Sequence, residues 1–140
     1  MTCVKLYVAA ETDVIVVGSG HAGVEAALAA SRLGFEAILF TMDLESVANL
    51  PCNPSIGGTA KGQVVREIDA LGGIMGKAAD AAGMQFRMLN ASKGPAVHSP
   101  RAQVDRPSYQ KFVLRTLEKT PRIKLRQEEV AKLLFDQGSL

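Results

Sequence analysis

The residues Gly18-Ser19-Gly20-His21-Ala22-Gly23 follow directly on Asp13-Val14-Ile15-Val16-Val17 and space their glycines as Gly-x-Gly-x-x-Gly. The chemistry this spacing serves is the holding of a dinucleotide pyrophosphate. The first glycine permits a tight turn, the second lets the phosphates approach the backbone, and the third lets helix and strand pack closely, while helix N–H groups meet the anion. A second reactive group is Cys52, which opens the stretch CNPSIGGTAKG at residues 52–62. A thiol in a glycine-rich loop with Lys61 nearby suits a nucleophile whose thiolate is stabilised by N–H groups and a cation; the other reading is a small apolar side chain that packs the loop. Cations form the third set: residues 87–126 hold ten Lys/Arg against two Asp/Glu, whereas residues 1–86 hold five against nine. Within that block Lys93, Arg101 and Arg106 are candidates for phosphate contact, with a solvated positive surface as the plain alternative.

A glycine fingerprint is a weak signal by itself and a specific one between a buried strand and a helix. Val14 to Val17 are β-branched and read as a strand buried on both faces of a parallel sheet. Residues 22–33, rich in Ala and Leu and followed by Gly34, read as a helix, and residues 35–41 as a second buried strand. Together they make one βαβ unit with a right-handed crossover. At the end of the second strand, where an acidic residue usually accepts the ribose hydroxyls, stands Thr41, with Asp43 two residues later. Asp43 serves if the strand runs long; otherwise Thr41 or a backbone contact replaces it.

Residues 43–59 lack periodicity and read as a long loop with a short helical turn at 44–48. Helices are expected over 60–71, ended by Gly72-Gly73, and over 74–82; residues 84–89 alternate as a strand. Residues 91–107 hold three prolines and read as a loop, closed by Asp105 at the start of a helix over 107–119 whose first turn accommodates Pro107. On that helix Tyr109, Phe112, Val113 and Leu117 form a core stripe. Strands are expected at 122–126 and 129–135. The excursion of about eighty residues between the second strand and the next parallel one favours the FAD-binding layout, with NAD as the alternative. The expected organisation is an N-terminal extension, 1–12, and a partial FAD-binding domain, 13–140. That domain comprises the βαβ unit 13–41, an insertion at about 43–106, and the helix and strands of 107–135. The fold class is α/β, a Rossmann-like FAD-binding fold with a parallel sheet and an inserted helical region, incomplete in this chain.

Composition bounds the remaining classes. At 47% hydrophobic and 21% charged the chain is neither a disordered tail nor a disulfide scaffold, and its two cysteines, Cys3 and Cys52, are read as reduced thiols. No CxxC or His/Cys cluster suggests a metal. No apolar run approaches membrane-spanning length, and residues 1–12 lack the features of a secretion signal, so the expected location is cytoplasmic.

Five blocks in order, GSGHAGVEAALAASRLG, CNPSIGGTAKG, EIDALGG, NASKGPAV and RAQVDR, resemble the N-terminal part of the family of tRNA uridine 5-carboxymethylaminomethyl modification enzymes (GidA/MnmG). The resemblance covers residues 13 to about 135. It implies a much longer homodimeric FAD enzyme, of which this chain is the opening segment, inactive alone. With a GTPase partner of the MnmE family, methylene-tetrahydrofolate and NADH, such an enzyme modifies carbon 5 of the wobble uridine, position 34, of tRNA. Residue by residue, Gly18, Ser19, Gly20, His21, Ala22 and Gly23 match the family's FAD fingerprint. Val130 matches the position that touches the adenine from the main chain, and Cys52 matches a cysteine considered for catalysis beside the flavin. The family often has arginine where this chain has His98, whereas Arg101 and Arg106 match. Two alternatives stand beside this reading: a folate-dependent tRNA uridine methyltransferase-like flavoprotein, against which CNPSIGG argues, and a truncated, non-catalytic FAD- or tRNA-binding module. In the first reading the glycines of residues 52–62 let backbone approach a planar ligand, the flavin ring.

Overall fold

Alternating β-branched and apolar residues at the N-terminal end of the chain give two strands, β1 (Val14–Val17) and β2 (Ala37–Thr41), joined by helix α1 (His21–Arg32). They pair in parallel, Val14 opposite Ala37 through Val17 opposite Phe40. The computed structural model describes residues 8–51 and 53–134. Helix α4 (Arg106–Lys119) leads to β6 (Ile123–Gln127), which joins β2 in parallel, so the sheet order is β1-β2-β6. The expected fold class, a Rossmann-like parallel unit with an insertion after its second strand, is what the chain adopts.

The insertion is built from a 3₁₀ turn (Leu44–Ser46), β3 (Ser55–Gly57), α2 (Lys61–Ala70), α3 (Met75–Ala81), β4 (Gly83–Leu89), a second 3₁₀ turn (Pro95–Val97) and β5 (Ser99–Val104). Its two helices were expected. Two of its three strands were not: β3 and β5 fall in stretches read as loops. With β4 they form an antiparallel sheet of order β3-β5-β4. Pro100 lies in the central strand, a position that proline normally avoids because it lacks a donor. Its carbonyl accepts from Gly58 N–H at 2.8 Å. A strand residue directs its nitrogen and its carbonyl to the same side, so the missing N–H of Pro100 lies past the end of the β3 pairing, which spans Arg101 to Gln103, and β4 loses no bond.

One apolar core joins both parts. Val16, Val24, Leu28 and Leu39 meet Tyr109, Val113 and Leu117 from α4 and Ile56, Ile74, Ala102 and Val104 from the insertion. Each large side chain buried there contributes about 1.5–3 kcal/mol. The α4 stripe is core, as its spacing predicts. Asp105 caps that helix by accepting from Ser108 N–H at 2.9 Å; the Ser108 side chain first, and then this backbone bond, lower the Asp105 pKa.

Two expectations are corrected. β1 is not buried on both faces: Ile15 is 44% and Val17 59% exposed, because the core packs on the face of Val16, Leu39 and Leu125. The strand expected at 129–135 does not form over 129–134, and Phe135 lies outside the described residues. Pairing stops where β2 does, after Glu128 N–H donates to Thr41 O at 2.9 Å.

Candidate functional site

Gly18 leaves β1 with φ +98°, held by its N–H to Phe40 O at 2.9 Å. A Cβ on Gly23 would overlap the Gly18 carbonyl oxygen, so α1 starts directly against the turn. Gly20, the N-cap, is extended and offers no capping side chain, which leaves the first-turn N–H groups of α1 without a capping acceptor. At Gly18 and Gly20 nothing lies within 4 Å of where a Cβ would stand. These bare glycines line a cavity of about 380 Å³ that Ser19, Thr41, Ser46 and Val130 share. Open backbone beside the positive end of a helix is suited to a phosphate.

The turn is fixed from the outside. Ser19 and Thr41 are buried, and their hydroxyls bond each other at 2.7 Å. Ser19 O also accepts from Ala48 N–H at 2.9 Å. Asp43 does not extend β2, which ends at Thr41; its carboxylate accepts from Glu45 N–H at 2.9 Å and caps the 3₁₀ turn. The carboxylates lining this cavity are instead Glu128 and Glu129, just beyond β6.

A neighbouring cavity of about 500 Å³ is lined by His21, Asn53, Ser55, Lys61 and Met75. His21 opens α1 but faces this second cavity, its ring tilted on Tyr109 with centroids 5.7 Å apart. Burial lowers the His21 pKa, with Glu25 opposing that shift, so the ring is neutral at pH 7. Burial raises the Tyr109 pKa, and Glu25 adds to it. Among the described residues His21 Nε2 and the Tyr109 hydroxyl have no hydrogen-bond partner. Cys52 lies outside the described residues.

Glu25 connects the two cavities' supports. Its Oε1 accepts from Ile74 N–H and Met75 N–H, each at 2.9 Å, so an α1 carboxylate holds the first turn of α3. Glu25→Ala removes both bonds and should cost about 1.5–3 kcal/mol, whereas Glu25→Gln keeps an acceptor and should cost under about half of that. Urea midpoints and hydrogen exchange at Ile74 and Met75 check this; equal losses in the two variants refute it.

The structure thus gathers Gly18, Ser19, Gly20 and Val130 at one cavity, puts His21 at the next, uses Gly23 for packing, and leaves Ala22 exposed on α1. Lys93, Arg101 and Arg106 stand on a loop, on β5 and at the first position of α4. His98 Nε2–H donates to Lys93 O at 2.9 Å and closes that loop. The sequence reading missed Glu25 and the Ser19–Thr41 pair; no short motif marks contacts 49 and 22 residues apart.

A glycine turn between a parallel strand and a helix, with a long insertion behind the second strand, defines a Rossmann-like unit of the FAD-binding fold. Residues 13–140 match the family model described as glucose inhibited division protein A, and the chain belongs to that family. It is 58% identical over 134 residues to a protein named tRNA uridine 5-carboxymethylaminomethyl modification enzyme from Caldicellulosiruptor saccharolyticus, covering 96% of this chain and 21% of that protein. The like-named protein of Chlorobaculum tepidum is 60% identical over 126 residues, or 90% of this chain and 20% of that one. The solved structure of Aquifex aeolicus GidA superposes with a TM-score of 0.89 at 49% identity, over 94% of this chain and 22% of that chain. The chain spans about a fifth of the length of the curated relatives it matches.

Proposed function

We propose that this chain is the N-terminal, FAD-binding segment of an enzyme that modifies carbon 5 of the wobble uridine of tRNA. The observation that carries the reading is the cavity where bare glycine backbone, the uncapped α1 N-terminus and Val130 converge. Gly18 makes the tight turn that lets the pyrophosphate in, Ser19 and Gly20 hold it through backbone N–H groups, Gly23 sets the helix against the turn, and Val130 meets the adenine from its main chain. His21 and Ala22 complete the fingerprint run, His21 from the side of the second cavity.

FAD, when bound, supplies the redox chemistry; the chain supplies position and a partly dry surrounding. The second cavity, beside the loop that carries Cys52, is the place for the flavin ring, and Cys52 is the catalytic candidate there. Residues 43–106 form the insertion into a partial FAD-binding domain, 13–140, with 1–12 as an extension. The whole enzyme is a homodimer in the cytoplasm that uses NADH, methylene-tetrahydrofolate and a GTPase partner of the MnmE family. This segment alone is inactive. Among the described residues no helix is long and apolar enough to cross a membrane.

The test uses a composite enzyme: a complete family member carrying residues 13–134 of this chain in place of its matching segment. Purified, it should show the flavin absorbance band and restore the tRNA modification, read by nucleoside mass spectrometry. A colourless protein that FAD cannot reconstitute overturns the reading. Cys52→Ala should abolish modification while keeping flavin; full activity in that variant removes Cys52 from the chemistry.

A further inference from the structure

The outer face of the inserted sheet carries an arrangement that packing does not explain. Arg87 on β4 stands directly opposite Arg101 on β5, and Gln85 directly opposite Gln103. β3 continues both rows: Gly57 is the neighbour of Arg101, and Ser55 of Gln103. Gln85, Arg87, Arg101 and Gln103 line one shallow cavity of about 240 Å³. Like charges placed opposite each other on adjacent strands repel, and proteins ordinarily relieve such a pair with a carboxylate. Among the described residues neither arginine side chain makes an ion pair or hydrogen bond. Both arginines also border the cavity of about 360 Å³ that Asp69 on α2 and Asp80 on α3 line, yet among the described residues neither carboxylate pairs with them.

We propose that Arg87 and Arg101, flanked by Gln85 and Gln103, form a site that grips the sugar-phosphate backbone of the RNA substrate. The proposal rests on the tRNA reading above and deepens it by naming the residues that hold the RNA. A bound oxyanion removes the repulsion between the two arginines, and each planar guanidinium offers paired N–H donors that match phosphate oxygens. The glutamine amides both donate and accept, which suits ribose hydroxyls, including the 2′-hydroxyl that distinguishes RNA. Gly57, the β3 neighbour of Arg101, adds no side chain to the arginine row. The site also sits within the basic stretch, residues 87–126, whose ten cations face only two acidic residues in sequence. Such a field draws a polyanion to this part of the surface.

The site makes phosphate contacts, which position a nucleic acid without reading its sequence. Its signature is therefore salt dependence rather than base preference.

The experiment measures binding of tRNA to the composite enzyme by fluorescence anisotropy across a salt series. Arg87→Gln and Arg101→Gln should each weaken binding roughly fivefold or more at moderate salt. Each should also reduce the slope of log affinity against log salt by about 0.7. Arg87→Lys, which keeps the charge, should retain the slope, so the readout separates lost phosphate contact from damaged folding. Flavin content serves as the folding control. Wild-type composite enzyme that binds tRNA together with glutamine variants of unchanged slope overturns this site and leaves the tRNA reading standing. Loss of folate-cofactor binding at an unchanged tRNA slope likewise overturns it, assigning the arginines to a carboxylate. Wild-type composite enzyme that binds no tRNA overturns both.

Discussion

Replacing Gly23 with alanine should weaken flavin binding by a hundredfold or more, about 2.7 kcal/mol or above, and lower the melting temperature by roughly 5–10 °C. The cause is a single methyl group. Its carbon would overlap the Gly18 carbonyl oxygen, stand 3.1 Å from the Gly18 carbonyl carbon and 3.3 Å from Val16 Cγ1. None of these can give way cheaply. Gly18 is fixed by its N–H to Phe40 O, and its neighbour Ser19 by Thr41 and Ala48. The helix must therefore lift, which costs about 1–3 kcal/mol in overpacking and carries the first-turn N–H groups away from the cavity. Gly20→Ala provides the contrast. Its φ is −66° and its Cβ meets nothing within 4 Å. That variant should melt within about 2 °C of the parent, while its methyl group occupies the space left for the pyrophosphate and weakens flavin binding about tenfold or more. Absorbance titration with FAD and thermal melts of both variants check the pair. If Gly20→Ala destabilises as much as Gly23→Ala, the division into a packing glycine and a ligand-facing glycine is wrong.

The parts of this site that sequence reveals are those whose physics is local. Gly18, Gly20 and Gly23 act within one turn, so their spacing encodes their geometry, and the strand and helix around them are set by residues a few positions away. The N-cap at Asp105 and the Tyr109–Val113–Leu117 stripe are legible for the same reason. Tertiary context decided the rest. Ile15 and Val17 are as β-branched as their neighbours, and nothing in the chain's local pattern says which face of β1 the helices cover. Pro100 argues against a central strand until the side to which its carbonyl points is known. Residues 129–134 hold one β-branched residue, Val130, among Glu, Ala, Lys and Leu, and β2, which ends at Thr41, gives them no ladder to continue. Thr41 illustrates the limit most directly. Its place at the end of β2 suggested ribose contact, but its hydroxyl is bonded to Ser19 and braces the turn that the glycines form.

Gly57→Ala should be the most destabilising substitution in the insertion, at about 3–5 kcal/mol, a large share of the 5–15 kcal/mol typical of a whole domain. Two independent penalties meet at this residue. Its φ of +86° disfavours any side chain by about 1–3 kcal/mol, and the added carbon would overlap the Pro100 carbonyl oxygen. That oxygen cannot retreat. It accepts from Gly58 N–H, and Gly62 at the start of α2 packs on it closely enough that a Cβ there would stand 2.8 Å away. The sequence reading gave these glycines to a planar ligand; the structure gives Gly57 and Gly62 to the close approach of β5. Gly58 separates strain from overlap, since its φ is +102° but no atom lies within 4 Å of a Cβ. Gly58→Ala should therefore cost only the strain, about 1–3 kcal/mol. The functional consequence follows from position. β3 carries Ser55 and begins two residues after Asn53, both of which line the cavity proposed for the flavin ring, while the fingerprint cavity is built on the ends of β1 and β2 and the turn before α1. In the composite enzyme, Gly57→Ala should reduce tRNA modification at least tenfold more than it reduces FAD affinity. A proportionate fall in both would mean that the insertion and the fingerprint act as one unit, and that β3 has no separate part in placing the reacting end of the cofactor.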